Sequence, residues 1–327
     1  MDCLKAVGAF LVVMIHCHNP WKEPDYVWTF AVVRMAIPIF FMISGFFLWS
    51  PDREVALRNC RRAFVRIFWL TVFANLFYYL CFFVPMDVMP FKRWKQVVKF
   101  LIFGHYGNTI EFHLWYLNAY LETLLVMMAA LKLRCLRAAW WLLIPAGLLV
   151  GLIMGKYEFL VPWIARQQFF DWEPYCRNFF TLGIPCVGLG WLVRQHADRL
   201  LAIVKRPAVW LVVLLVVSEL EVFGLHTFRT NVFGEYVIST IPLAVVMMLI
   251  AVKYPDLGAS TLLAWTGRRF SLGIYVFHIL FLRLIVDVNV RFIIDRPMLL
   301  PMATYGLALA FTALWGAATQ RSMGIRN

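Results

Sequence analysis

Ten apolar stretches divide the chain, at roughly 3–18, 27–49, 63–85, 114–131, 138–154, 175–193, 208–224, 235–252, 270–287 and 299–318. Their lengths and their lack of charge predict helices that cross a bilayer core, which takes about 20 residues. The expected fold is an all-α polytopic membrane protein, with about ten transmembrane helices in one bundle and residues 1–327 forming a single domain. One further segment follows a different rule. Trp94, Val97, Val98, Leu101 and Ile102 recur at helical spacing, with Lys92, Lys95, Gln96 and Lys99 mostly opposite. This predicts an amphipathic interfacial helix near 91–103, lying on the membrane surface as a lid or in contact with lipid or glycan.

Composition agrees with the pattern. The chain is 62% hydrophobic and only 15% charged, where a soluble domain is nearer half apolar and a quarter charged. No polar stretch is long enough for a separate soluble domain, and no linker, low-complexity tract or repeat is visible. The first apolar run reads as a span rather than a cleaved signal, because it lacks a basic leader and an A-x-A-like exit. The seven cysteines are scattered singly with no C-x-x-C pair, which argues against a metal site or disulfide framework.

An even number of spans puts both termini on one side. With the N-terminus inside, eighteen of the thirty-one Lys and Arg residues fall inside, ten outside, and Arg34, Arg177 and Arg283 within spans. The bias predicts cytoplasmic termini. It accounts for much of the net charge of +13 without a nucleic-acid partner, for which no motif is present.

Two ionisable residues share the first run. Lys5 and His16 are separated by ten residues, so on a helix they lie on one stripe, about 16 Å apart along the axis. Ionisable groups within a span are costly and point to function. The alternative is that Lys5 snorkels to the headgroups and His16 caps the helix at the far interface. His18 lies about 200° around the helix from His16. Arg34 sits in a strongly apolar run and needs a buried partner or polar ligand, with Glu122, Glu219 and Glu221 as available acids. Tyr275 and His278 share a helix face. Trp115, Tyr116, Trp163 and Trp172 lie near proposed outer ends. They fit an aromatic belt, the other reading being tryptophan stacked on a sugar.

Five blocks, in order, carry a resemblance. Residues 2–16, DCLKAVGAFLVVMIH, hold a basic residue, ten intervening residues and a histidine. Arg34 to Leu48 holds Arg-x-x-x-Pro followed by Phe-Phe-x-x-Ser-Gly. Arg58, Arg61, Arg62 and Arg66 lead into the third run. His113-Leu-Trp115-Tyr116-Leu117 opens the fourth, and Ser271, Tyr275 and His278 form a Ser-x-x-x-Tyr-x-x-His block. Together these resemble the acyltransferase-3 family of integral membrane acyltransferases. The family often shows an Arg-x-x-Arg pair before its third helix. Arg58 and Arg61 have that spacing, whereas Arg62 and Arg66 are four apart and closer to the helix.

The resemblance implies transfer of an acyl group, usually acetyl, from cytoplasmic acyl-CoA to a hydroxyl. Acyl-CoA is then a co-substrate and no cofactor is held permanently. The implied acceptor is a cell-envelope or lipid-linked glycan, and the implied setting is the bacterial cytoplasmic membrane. His16 is the expected general base or nucleophile, since neutral imidazole suits proton removal near neutral pH. Glu122 is the first choice to orient it, as a carboxylate holds the base of a hydrolytic triad. Lys5, Arg58, Arg61, Arg62 and Arg66 are expected to bind the CoA phosphates, the alternative for each arginine being the positive-inside rule alone. Arg34, His113, Trp115, Tyr275 and His278 are expected to form a substrate-facing or structural polar site. A secondary transporter and a non-catalytic scaffold are the competing classes. A transporter favours matched halves of broken helices, and the chain shows no such match.

Overall fold

The computed structural model describes residues 1–17, 25–83, 112–161, 176–227 and 236–322. The segment 91–103, expected as an interfacial helix, lies outside them, as do His18, Trp163 and Trp172. No strand occurs among the described residues. The helices are α1 (Asp2–Cys17), α2 (Asp25–Arg34), α3 (Ala36–Leu48), α4 (Arg53–Tyr78), α5 (Trp115–Lys132), α6 (Leu136–Ile153), α7 (Ile184–Gln195), α8 (Ala197–Ile203), α9 (Pro207–Thr227), α10 (Thr240–Lys253), α11 (Leu262–Arg269), α12 (Ser271–Asp287), α13 (Arg291–Ile294) and α14 (Leu299–Ser322).

Each of the ten apolar runs holds helix in its described part, but they are not ten equal spans. Among the described residues, five stretches are long and apolar enough to cross a membrane: Phe30–Leu48, Arg53–Phe82, Leu136–Ile153, Pro207–Thr227 and Leu299–Ala317. The pair α11 and α12, bent by 84° at Phe270, makes a sixth if it counts as one span. Hydropathy alone does not reveal such breaks. The run 27–49, for example, breaks at Met35 into α2 and α3. Pro38 has no N–H for the Arg34 carbonyl, so the helical ladder is interrupted there.

The third run corrects the expectation in another way. Its helix starts at Arg53, ten residues before the apolar stretch. Asp52 caps it, its carboxylate accepting from the amides of Glu54 (2.7 Å) and Val55 (3.0 Å). The Val55 and Glu54 donors hold that carboxyl below its ordinary value. The four arginines therefore ride on the helix instead of leading up to it, and helical phase decides where each one points.

α1 is central, packed against α2, α3, α11, α12 and α14. The span Phe30–Leu48 is 67% buried, while the apolar window of α9 is 11% buried, so α2–α3 belongs to the core and α9 to the rim. α3 and α7 cross in close contact. A Cβ on Gly45 would lie 1.9 Å from the Val187 carbonyl oxygen, and one on Gly190 1.9 Å from that of Met42. Only hydrogen at both positions lets the two backbones meet, as small residues do between membrane helices.

Candidate active site

A cavity of about 1590 Å³ opens beside α1. Its wall includes both Lys5 and His16, so it follows the polar stripe of α1 over about 16 Å of helix. The two ends differ. Beside Lys5 lies Arg268, joined to it through Asp2; beside His16 lie His113, Arg34 and Arg177; Asn59, Arg62, Arg66 and Trp115 line the same cavity. Ser44, Tyr116, Tyr120 and Tyr275 add further polar wall. Leu282, Val286 and Leu300 continue the wall with apolar surface from α12 and α14.

Helical phase explains which residues of α4 line the cavity. Asn59, Arg62, Ala63, Arg66 and Ile67 follow i, i+3, i+4 spacing on α4 and all line the cavity. Arg58 and Arg61, expected at the same site, lie outside the lining, although all four arginines are exposed. The four-apart pair, not the Arg-x-x-Arg pair, reaches the cavity. Lys5 Nζ is 3.0 Å from Asp2 Oδ1, and Arg268 Nε is 2.8 Å from Asp2 Oδ2, so one carboxylate joins two lining cations. Lys5 also stands over the Phe47 ring at 5.2 Å.

At the other end three histidines from distant parts of the chain converge. His16 lies in the last turn of α1. Its Nδ1 is 2.8 Å from the Val12 carbonyl oxygen and 3.1 Å from His278 Nε2. The His113 ring is edge-on to His16 at 6.2 Å and to His278 at 5.1 Å. The middle of α12 builds this cluster. Tyr275 Oη donates to the His113 carbonyl at 2.5 Å, and the Val276 carbonyl accepts from Tyr78 Oη (2.7 Å) and His113 Nε2 (3.2 Å). His278 is fully buried and lies outside the cavity lining, behind His16. Among the described residues no group of three His, Cys, Asp or Glu side chains is placed to hold a metal ion.

The chain matches the family model described as Acyltransferase domain, Acyl_transf_3, over residues 1–320. The chain belongs to the acyltransferase-3 family. A serine/alanine racemase of Enterococcus gallinarum is similar, 28% identical over 244 residues, which is 70% of this chain and 33% of that protein. The acyltransferase-3 chain thus spans about a third of the length of this curated relative. No solved structure matches.

Within this acyltransferase fold several expected roles are displaced. Glu122 does not orient His16. It is about 200° around α5 from the cavity-lining Tyr120, it is not part of the lining, and its Oε2 is buried without a hydrogen-bond partner. His278 occupies the place expected of an acid. Glu221, offered as a partner for Arg34, instead accepts from Tyr157 Oη, the Ile238 and Ser239 amides and the Ser239 hydroxyl. Among the described residues Glu122, Glu219 and Glu221 form no ion pair with Arg34. Arg34 is 3% exposed and lies over the Phe30 ring at 5.2 Å. Trp115 and Tyr116 leave the aromatic belt for the cavity wall, Trp115 being buried. Their position near a helix end fits either place.

Asp2, Arg177, Arg268 and Tyr120 join the site without having been expected there. Only the Asp2–Lys5 pair, at i,i+3, carries a signal legible in the chain.

Proposed function

We propose that this membrane acyltransferase moves an acyl group, acetyl in the simplest case, from cytoplasmic acyl-CoA to a hydroxyl of a cell-envelope or lipid-linked glycan in the bacterial cytoplasmic membrane. The observation that carries the proposal is a single cavity whose wall holds the cations Lys5, Arg62 and Arg66 together with His16, Lys5 and His16 lying about 16 Å apart along α1. Guanidinium groups hold phosphate through paired donors, and Lys5 adds a further cation to the mouth. The extended pantetheine arm then runs along α1 and brings the thioester to His16.

The imidazole takes the acceptor hydroxyl proton as that oxygen attacks the thioester carbonyl. The new C–O bond replaces the C–S bond, and the CoA thiolate leaves with a proton. A covalent variant, with the acyl group first on His16, uses the same geometry.

The test is thioester cleavage. Purified, inserted protein supplied with acetyl-CoA and envelope glycan releases free CoA and gains an acetyl increment on the glycan by mass analysis. Absence of CoA release across acyl donors and glycan acceptors would reject the donor assignment.

A further inference from the structure

We infer that His278 is the positioning residue of this site, a neutral imidazole that directs the Nε2 lone pair of His16 into the cavity. The inference rests on the proposed role of His16 as the base and deepens it. It follows from which atoms can donate. His278 Nδ1 faces two backbone carbonyls, Tyr275 at 2.7 Å and Ile274 at 3.2 Å. A carbonyl oxygen only accepts, so Nδ1 carries the hydrogen. In the neutral ring Nε2 is then an acceptor. That acceptor lies 3.1 Å from His16 Nδ1, which also faces the Val12 carbonyl at 2.8 Å. With an acceptor on both sides, His16 Nδ1 must be the N–H donor. The tautomer is settled, and Nε2 is left with the lone pair.

The helix backbone therefore sets the chemistry of two rings in series. Tyr275 and Ile274 carbonyls set His278; His278 and the Val12 carbonyl set His16. Both acceptors on His16 Nδ1 are uncharged. When His16 Nε2 takes a proton, the charge spreads to Nδ1–H, and the bond to His278 strengthens because its donor is now ionised. This is the work a carboxylate does in a hydrolytic triad. Here it is done without placing an anion among the rings of His16, His113 and His278. His278 is fully buried and lines no part of the cavity, so it acts through His16 and not on substrate.

The experiment compares three substitutions at position 278 in inserted protein, measuring acyl transfer across acyl-CoA concentrations. His278→Gln keeps an uncharged acceptor oxygen near the site of Nε2. His278→Leu keeps the approximate volume and removes the acceptor, and His278→Asn keeps polarity but shortens the reach. A bond to an ionised donor is worth about ten- to a hundred-fold in rate. The Leu and Asn variants therefore lose kcat on that scale with the acyl-CoA KM unchanged, and the Gln variant recovers most of the loss. His16→Ala runs in parallel. If His16→Ala is inactive while the Leu and Asn variants match wild type, His16 remains the base and the inference about His278 is wrong. Equal loss in all three, Gln included, also overturns it, since the acceptor atom would then not matter. Should the Leu variant fail to insert, the Gln–Asn comparison alone decides.

Discussion

His16 carries the plainest expectation at the scale of single residues. A base positioned for proton transfer contributes about 10²–10⁴-fold. His16→Ala should therefore abolish acyl transfer to that extent in protein that still inserts and still binds acyl-CoA, measured as free CoA released. Near-normal turnover in such protein would return His16 to the role of a helix-end residue. Its stripe with Lys5 was legible because helical phase is a local property of eleven consecutive steps. The convergence of His278 on His16 was not, because it joins residues 262 positions apart, and no periodicity records which helices are neighbours. Glu122 shows the opposite error. It was preferred for its closeness in sequence to the His113 block, but two residues beyond Tyr120 is nearly half a turn away from the cavity.

Whole elements add phase and crossing. All four arginines of α4 are exposed, but helical phase puts only Arg62 and Arg66 in the cavity wall. Arg62→Ala and Arg66→Ala should each raise the KM for acyl-CoA about ten-fold, the scale of one charge-assisted contact. Arg58→Ala and Arg61→Ala should leave it nearly unchanged. The same KM response from all four would mean that charge near the mouth matters and helix phase does not. The α3–α7 crossing gives an independent test. Gly190→Ala drives a methyl into the Met42 carbonyl and should destabilise the protein by about 1–3 kcal/mol. A Cβ on Gly224, in α9, meets nothing within 4 Å. Gly224→Ala should therefore be neutral, or stabilising by up to about 1 kcal/mol through helix propensity. Thermal unfolding in detergent distinguishes them. The start of α4 was misplaced in the sequence pattern because hydropathy reports where a helix enters the apolar layer. The Asp52 cap reports where the helix begins.

For the whole molecule, orientation is the property that makes the cavity useful. The biased distribution of Lys and Arg predicts that, in a background lacking the seven native cysteines, a cysteine at Asn108 is labelled from outside and one at Asn59 is not. The reverse pattern would turn the Lys5 mouth away from the cytoplasm and from its proposed donor. Overall helical character was readable in the apolar runs. Which of them span alone was not, since the break at Met35 and the 84° bend at Phe270 leave composition almost unchanged.

The carboxylate of Asp2, shared between Lys5 and Arg268, gives the mouth a further property. These two cations already hold an anion. A CoA phosphate that engages either of them displaces a carboxylate, so donor capture is an exchange of one anion for another. Added salt weakens the outgoing and incoming contacts together, and donor affinity should respond to ionic strength only shallowly. Asp2→Asn removes the resident anion. Its acyl-CoA KM should fall at low salt and climb more steeply with potassium chloride than that of the wild type. Parallel salt curves would show that Asp2 holds the helix ends together and takes no part in donor binding.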